Sequence, residues 1–183
     1  GYDHHFGKDR EGNIDLLKKN SETYPFKLEE IKAHEIEEIK ISSTKVRKAI
    51  EKGDIHLVNE YCGHYYEFSG EVVHGNGIGK TIGTPTANIE IDKAEKIIPA
   101  DGVYAVVCQS NEKTVNGIMN IGFKPTLNKL EERTIEIHLF NYEKDLYGTI
   151  LKTKVIQKIR NEFKFKSLED LKKQIEIDNE KAE

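Results

Sequence analysis

Tryptophan is absent from this chain of 183 residues, methionine occurs once, cysteine twice and proline four times. The two cysteines, Cys62 and Cys108, have no CxxC spacing. That excludes a cysteine zinc site and a disulfide framework, and leaves two reduced, partly buried thiols of a cytoplasmic protein as the expectation. No apolar run approaches the roughly 18 residues that a membrane span needs. The opening residues do not read as a signal peptide. A basic excess is missing as well. The formal net charge is −4, against the positive balance of a general nucleic-acid binder. Neither a membrane nor a nucleic acid is therefore an expected partner. Acids and lysines alternate along the chain, as on an ordinary solvated surface. Hydrophobic residues make up 37%, enough for one soluble domain, or for one small domain plus part of another. The chain opens Gly1-Tyr2-Asp3-His4-His5-Phe6-Gly7 without a Met and reads as cut from something longer.

What is present falls into two textures. Residues 1 to about 62 are mixed. Ile14, Leu16 and Leu17 predict a short helix after the Gly12 turn. Phe26, Leu28 and Ile31, then Ile36, Ile39 and Ile41, predict short strands. In ISSTKVRKAIEKGD, Ser42 or Ser43 can cap a helix with Val46 and Ile50 on one face, and Gly53 stops it. Asp54 caps the next helix, which carries Leu57, Val58 and Tyr61 and ends at Gly63. From Tyr65 onward the pattern is strand after strand: YYEFSGEVVH, TANIEI, GVYAVVCQ, TVNGIMNIG, RTIEIHLF and LKTKVIQKI. About six short strands punctuated by Gly, Pro and Asn predict a mainly β fold, a small antiparallel barrel or sandwich. Ser167 then caps a last helix, with Asp170 three residues on and Leu168, Leu171 and Ile175 as its apolar stripe.

GNGIGKTIGTPTAN, residues 75–88, has the look of a nucleotide loop. A Walker A loop is GxxxxGK[ST] followed by a helix whose N-terminus helps to hold phosphate. Here only three residues separate Gly75 from Gly79. Gly83 and Pro85 then follow where the helix should run, and a helix-interior proline costs about 3 kcal/mol. The glycines do not fit GxGxxG either. What remains is a strand, a glycine arch and a second strand from about Thr86. Such an arch can turn backbone N–H groups toward one anion, with Lys80 adding positive charge; a plain hairpin loop is the alternative. Thr86 and Asn88 lie two apart and so on one strand face. Both offer oxygen, and magnesium takes oxygen ligands while keeping water and substrate phosphates for the rest. Ordinary turn chemistry is the other reading of that pair. In RTIEIHLF, Ile135, Ile137 and Leu139 face one way, and Thr134, Glu136, His138 and Phe140 the other. Glu136 is either one residue of a wet strand face or, if that face lines a cleft, a base for an attacking hydroxyl.

GEVVHGNGIGKTIGTPTANI, GVYAVV, NGIMNIGFKPT, RTIEIHLF, DLYG, IRNEFKF and SLEDLKKQI together resemble the riboflavin kinase family, in order and spacing, through nearly all of residues 65–183. GYDHHFGKDREGN and ISSTKVR are similar to the end of the partner domain in bacterial bifunctional riboflavin kinase/FMN adenylyltransferase (FAD synthetase), with His4 departing from the usual pattern. The HxGH-type adenylyl-transfer motif of that domain is not in this chain.

The resemblance implies a six-stranded antiparallel barrel with a C-terminal helix over residues 63–183, preceded by an α/β remnant of a nucleotidyltransferase domain over residues 1–62. It implies an N-terminally truncated protein with an intact kinase module, which converts riboflavin to FMN with ATP and Mg²⁺ and lacks FAD formation. Thr86 and Asn88 would hold Mg²⁺ and the ATP phosphates. Gly75, Gly79 and Lys80 would belong to the ATP loop, with Leu139, Asn141 and Gly148 near the nucleotide. Glu136 would be the base on the ribityl 5′-hydroxyl. Arg160, Phe163 and Phe165 would lie at the flavin. Ser43, Thr44 and Arg47 would be what remains of the adenylyltransferase site. A flavin-binding module without catalysis and a residual adenylyltransferase are the competing expectations.

Overall fold

The computed structural model describes residues 5–30, 35–36, 39–75, 84–91, 96–110, 113–124, 132–163, 165 and 167–182. The chain forms two compact units, Gly1–Ser42 and Ser43–Glu183.

In the first unit, Phe6 and Gly12 exchange backbone hydrogen bonds of 2.9 Å across a 3-10 turn, Lys8–Arg10. Helix α1, Ile14–Ser21, follows as its apolar spacing predicts, and the Asn13 side chain caps it by accepting from the Leu16 N–H at 3.0 Å. Strands β1 (Glu35–Ile36) and β2 (Ile39–Lys40) pair antiparallel. The strand expected from Phe26 and Leu28 does not form. Residues 26–30 are irregular, and Ile31 lies outside the described residues. The Phe26 N–H turns back across Pro25 to the Tyr24 carbonyl at 2.9 Å. It is therefore not offered to a neighbouring strand.

The second unit opens with helices α2 (Ser43–Lys52) and α3 (Ile55–Cys62). Asp54 caps α3 through the Leu57 N–H, and Gly63 ends it in the left-handed conformation that favours glycine. Six strands follow: β3 (Tyr66–Val73), β4 (Ala87–Glu90), β5 (Gly102–Ser110), β6 (Lys113–Lys124), β7 (Glu132–Leu139) and β8 (Ile150–Arg160). They close into an antiparallel barrel in the order β3-β4-β7-β6-β5-β8. Closure pairs the edges that an open sheet would expose.

Period-two alternation sorts the side chains. Phe68, Val72, Tyr104, Val106, Met119, Ile121, Ile135, Ile137, Leu151 and Val155 fill the interior. Residues between them face outward, yet Val103, Ala105 and Ile118 are buried too. They lie under helix α4 (Leu168–Ala182), which packs on β5, β6 and β8. Ser167 and Asp170 cap α4 reciprocally, the Asp170 N–H donating to Ser167 Oγ at 3.1 Å and that hydroxyl donating to Asp170 Oδ2 at 2.8 Å. The apolar stripe expected on α4 is only half-buried at Leu171 and Ile175. The helix instead buries Asp178, at 1% exposure.

Helices α2 and α3 close one side of the barrel. Ala49, Ile50 and Val58 form a second small core with Tyr66 and Ile97 packed against it. Strand β8 shifts register against β5 near Ile156 and Ile159. At the first of these bulges the Val155 and Ile156 carbonyls accept from Asn59 Nδ2 at 3.1 and 3.0 Å, while Asn59 Oδ1 accepts from the Tyr66 N–H. One helix side chain thus satisfies backbone groups that the bulge withdraws from the ladder.

Both cysteines are free; Cys108 is buried and Cys62 half-buried. Burial pushes the Cys108 thiol from 9.0 up to about 11, with Thr153 Oγ1 at 3.6 Å as its polar neighbour. Burial likewise raises the Tyr104 hydroxyl from 10.0 to about 12. Between pH 9 and pH 11 the unfolded chain releases the Cys108 proton while the folded chain keeps it. The stabilisation present below that window is thus lost as pH rises through it. A pH series of urea midpoints should decline from about pH 9 upward, and Cys108→Ala should remove the first part of the decline. An unchanged slope in that variant would show that the thiol does not contribute.

Candidate active site

Glu136 lies on the outer face of β7, because its neighbours Ile135 and Ile137 are committed to the core. Across the ladders Asn88 on β4 and Asn120 on β6 are its register partners on either side. The three polar side chains therefore stand in one row on the outer wall. Thr86 precedes β4 by one residue, and its hydroxyl donates to Glu136 Oε2 at 3.0 Å. The hydroxyl and the carboxylate are fifty residues apart in sequence and in direct contact.

Two further contacts hold the Thr86–Asn88 stretch. His138, two residues beyond Glu136 on the same face, places Nδ1 2.8 Å from the Pro85 carbonyl. On the other side Asn88 is the register partner of Val73 at the end of β3. Just beyond it, Gly75 lies flat against the Asn88 amide. A Cβ built on Gly75 would fall 2.0 Å from Asn88 Nδ2. A side chain at Gly75 would displace the Asn88 amide from this position. Gly79 and Lys80 lie outside the described residues.

The DLYG stretch reaches the same rim. The Gly148 N–H donates to the Val72 carbonyl at 2.9 Å, and the Val72 N–H to the Thr149 carbonyl at 2.9 Å. Gly148 takes a φ of 71°. The His74 and Tyr147 rings stack with centroids 3.8 Å apart. Asn141 is exposed, with a φ of 52°. Leu139 is different: its side chain is part of the barrel core, so only its backbone belongs to the outer rim.

Arg160 and the two phenylalanines form a separate cluster. The Arg160 guanidinium carbon lies 4.5 Å from the Phe163 ring centroid and 5.7 Å from that of Phe165. The two rings are 4.7 Å apart. Asp178 fixes the guanidinium from α4: Arg160 Nε donates to both carboxylate oxygens, at 3.1 and 2.9 Å, and NH2 lies 2.8 Å from Oδ2. Gln174 Nε2 also donates to Asp178. Arg160 is the register partner of Val103, which pairs with Asn120, which pairs with Glu136. Three ladder steps separate the two clusters, about 14 Å around the wall at roughly 4.8 Å per strand.

Two neutral oxygen donors, from Thr86 and Asn88, suit a hard cation that takes its remaining ligands from phosphate and water. Thr86 donates its hydrogen bond to Glu136, which leaves the hydroxyl lone pairs as ligands. Among the described residues no three His, Cys, Asp or Glu side chains gather into a metal cage. Ser43, Thr44 and Arg47 occupy the exposed start of α2. Asn120, His138 and Asp178 were not legible as site residues. Their roles rest on partners 16 to 53 residues away in the chain or on the same face of another strand.

A family model described as riboflavin kinase matches residues 62–183, and one described as FAD synthetase matches residues 1–45. The chain is 40% identical over 183 residues to the bifunctional riboflavin kinase/FMN adenylyltransferase of Haemophilus influenzae, covering 100% of this chain and 58% of that protein. It is 38% identical over 189 residues to the Bacillus subtilis protein of the same name, again covering 100% and 58%. The chain thus spans 58% of the length of these curated relatives. A crystal structure described as a macrolide-efflux protein from Streptococcus pneumoniae superposes with a TM-score of 0.88 at 32% identity, over 99% of this chain and 58% of that one.

The Arg160–Asp178 pair carries a stability prediction. Removing one member of a buried pair leaves an uncompensated charge and costs about 3–5 kcal/mol. Asp178→Ala should lower the unfolding free energy by about that much in urea titrations. A loss within about 1 kcal/mol of zero would mean that solvent replaces the carboxylate.

Proposed function

This chain belongs to the riboflavin kinase family, and from that premise we propose that it transfers the γ-phosphate of ATP to the 5′-hydroxyl of riboflavin, forming FMN and ADP. The observation that carries this reading is the Thr86–Glu136 hydrogen bond, which brings the phosphate-side hydroxyl together with a carboxylate on the β7 outer face.

Each group then has a task. Thr86 holds Oε2 of Glu136 and so sets the plane of the carboxylate. The other oxygen accepts the proton of the ribityl hydroxyl as its oxygen bonds to the γ-phosphorus and the bond to the β–γ bridging oxygen breaks. A positioned base contributes about 10²–10⁴-fold. Mg²⁺, when bound, would neutralise the charge that the transferring phosphoryl group spreads over its oxygens. Thr86 and Asn88 are the residues that would hold it together with the ATP phosphates. Gly75 and Gly148, with the Tyr147–His74 stack between β3 and the DLYG stretch, would border the nucleotide, and Asn141 and the Leu139 backbone would lie beside it. Gly79 and Lys80 complete the proposed ATP loop. Arg160, Phe163 and Phe165 offer flat apolar and cationic faces on which an isoalloxazine ring stacks. Their separation from Glu136 along the wall matches a substrate whose ring and reacting hydroxyl lie at opposite ends.

The match of residues 1–45 to the FAD synthetase model favours a second role for that segment, as part of an FMN adenylyltransferase domain to which Ser43, Thr44 and Arg47 also belong. On this reading the kinase domain begins near residue 63. The described residues contain no helix long and apolar enough to cross a membrane. The reading places the reaction in the cytoplasm, with small-molecule substrates in place of nucleic acid or membrane.

Incubating the chain with riboflavin and Mg–ATP should yield FMN and ADP; flavin binding without FMN would favour the module that lacks catalysis. Glu136→Gln should lower turnover by about 10²–10⁴-fold while ATP and riboflavin still bind. Near wild-type turnover in that variant would remove Glu136 from the mechanism. With FMN and Mg–ATP, no FAD is expected, because the chain holds no HxGH-type motif.

A further inference from the structure

The β4–β7 ladder stops short of the residue that it most needs to hold. Its register partners are Asn88 with Glu136 and Ala87 with Ile137. The next residues toward the arch are Thr86 and Pro85. A proline has no N–H to give to a ladder, so backbone pairing cannot secure this turn in the usual way. The His138 side chain takes over. Its Nδ1 lies 2.8 Å from the Pro85 carbonyl, and its ring meets the edge of Phe140, with centroids 5.9 Å apart at 66°. A carbonyl oxygen only accepts, so Nδ1 must carry hydrogen, and the second ring nitrogen is left to vary.

We propose that His138 is a positioning residue for nucleotide binding: its Nδ1–H clamps the Pro85 carbonyl and thereby sets the Thr86 hydroxyl against Glu136. Two side chains of one strand face, two residues apart, grip two consecutive residues of the chain opposite. Glu136 takes the hydroxyl of Thr86, and His138 takes the carbonyl of the residue before it. Without the second grip, Thr86 can turn about Pro85 ψ and its own φ, and the oxygen pair that faces the phosphates loses its spacing. The inference rests on the functional reading above, since it concerns the Thr86 side of the same site.

The test compares wild type with His138→Ala, His138→Asn and His138→Phe. Asparagine can place an amide N–H close to the Nδ1 position. Phenylalanine keeps a ring beside Phe140 and cannot donate. Affinity for Mg²⁺ with a non-hydrolysable ATP analogue is read by calorimetry. Amide exchange at Thr86 and Ala87 is read in the nucleotide-free protein. Loss of one such hydrogen bond predicts about tenfold weaker analogue binding in the Ala and Phe variants. Asparagine should recover most of it, with riboflavin affinity unchanged throughout. The Thr86 and Ala87 amides should exchange faster in the Ala and Phe variants and return toward wild type in the Asn variant. If Ala does not fold, the Phe–Asn contrast carries the test. Analogue binding equal to wild type in the Phe variant would overturn the proposal, and so would equal losses in Asn and Phe, which would show packing alone. Wild type that binds no Mg–nucleotide would instead overturn the functional reading. Wild type that binds it, with variants that bind it equally well, would overturn only the role of His138.

Discussion

Barrel closure is the constraint from which the site follows. Six strands that close on themselves commit every second residue to a shared apolar interior. The alternate residues have no choice but to face outward. On β7 this sends Ile135, Ile137 and Leu139 in, and puts Glu136 and His138 on the wall. A one-residue slip of that strand would bury the carboxylate and expose three large aliphatic groups. The apolar core thus sets the direction of the Glu136 side chain.

The outer wall is not uniform. Where α4 covers β5, β6 and β8, outward residues are apolar and buried, as at Val103, Ala105 and Ile118. Along β6, β7 and β4 the outward row turns polar at Asn120, Glu136 and Asn88. Between β8 and α4 the Arg160–Asp178 pair holds the guanidinium beside the two phenylalanines. The end of β3 and the DLYG stretch before β8 meet through Val72.

Much of this was legible from the residues. Strict alternation in RTIEIHLF separated Glu136 from the core. Glycine and proline spacing ruled out a P-loop at residues 75–85, and Ser167 with Asp170 announced the last helix. Local signals erred where a distant partner held the decision. Phe26 and Leu28 alternate like a strand, but the Phe26 N–H is taken by Tyr24. The apolar stripe of α4 pointed to Leu168, Leu171 and Ile175, whereas Leu171 and Ile175 are only half-buried and Asp178, matched in charge by Arg160 on β8, is buried.

Short-range order here is written in the chain, because period two, helix caps and glycine turns depend on neighbours a few residues away. Those patterns were sufficient for a mainly β unit with a terminal helix and for the chemical character of each candidate residue. Which of those residues meet was settled by strand order and register. Thr86 meets Glu136 because β4 lies beside β7 instead of its neighbour in sequence, β5. Gly75 comes against the Asn88 amide because β3 pairs with β4. Such contacts depend on which strand ends up next to which, and that follows from how the whole barrel closes around its core.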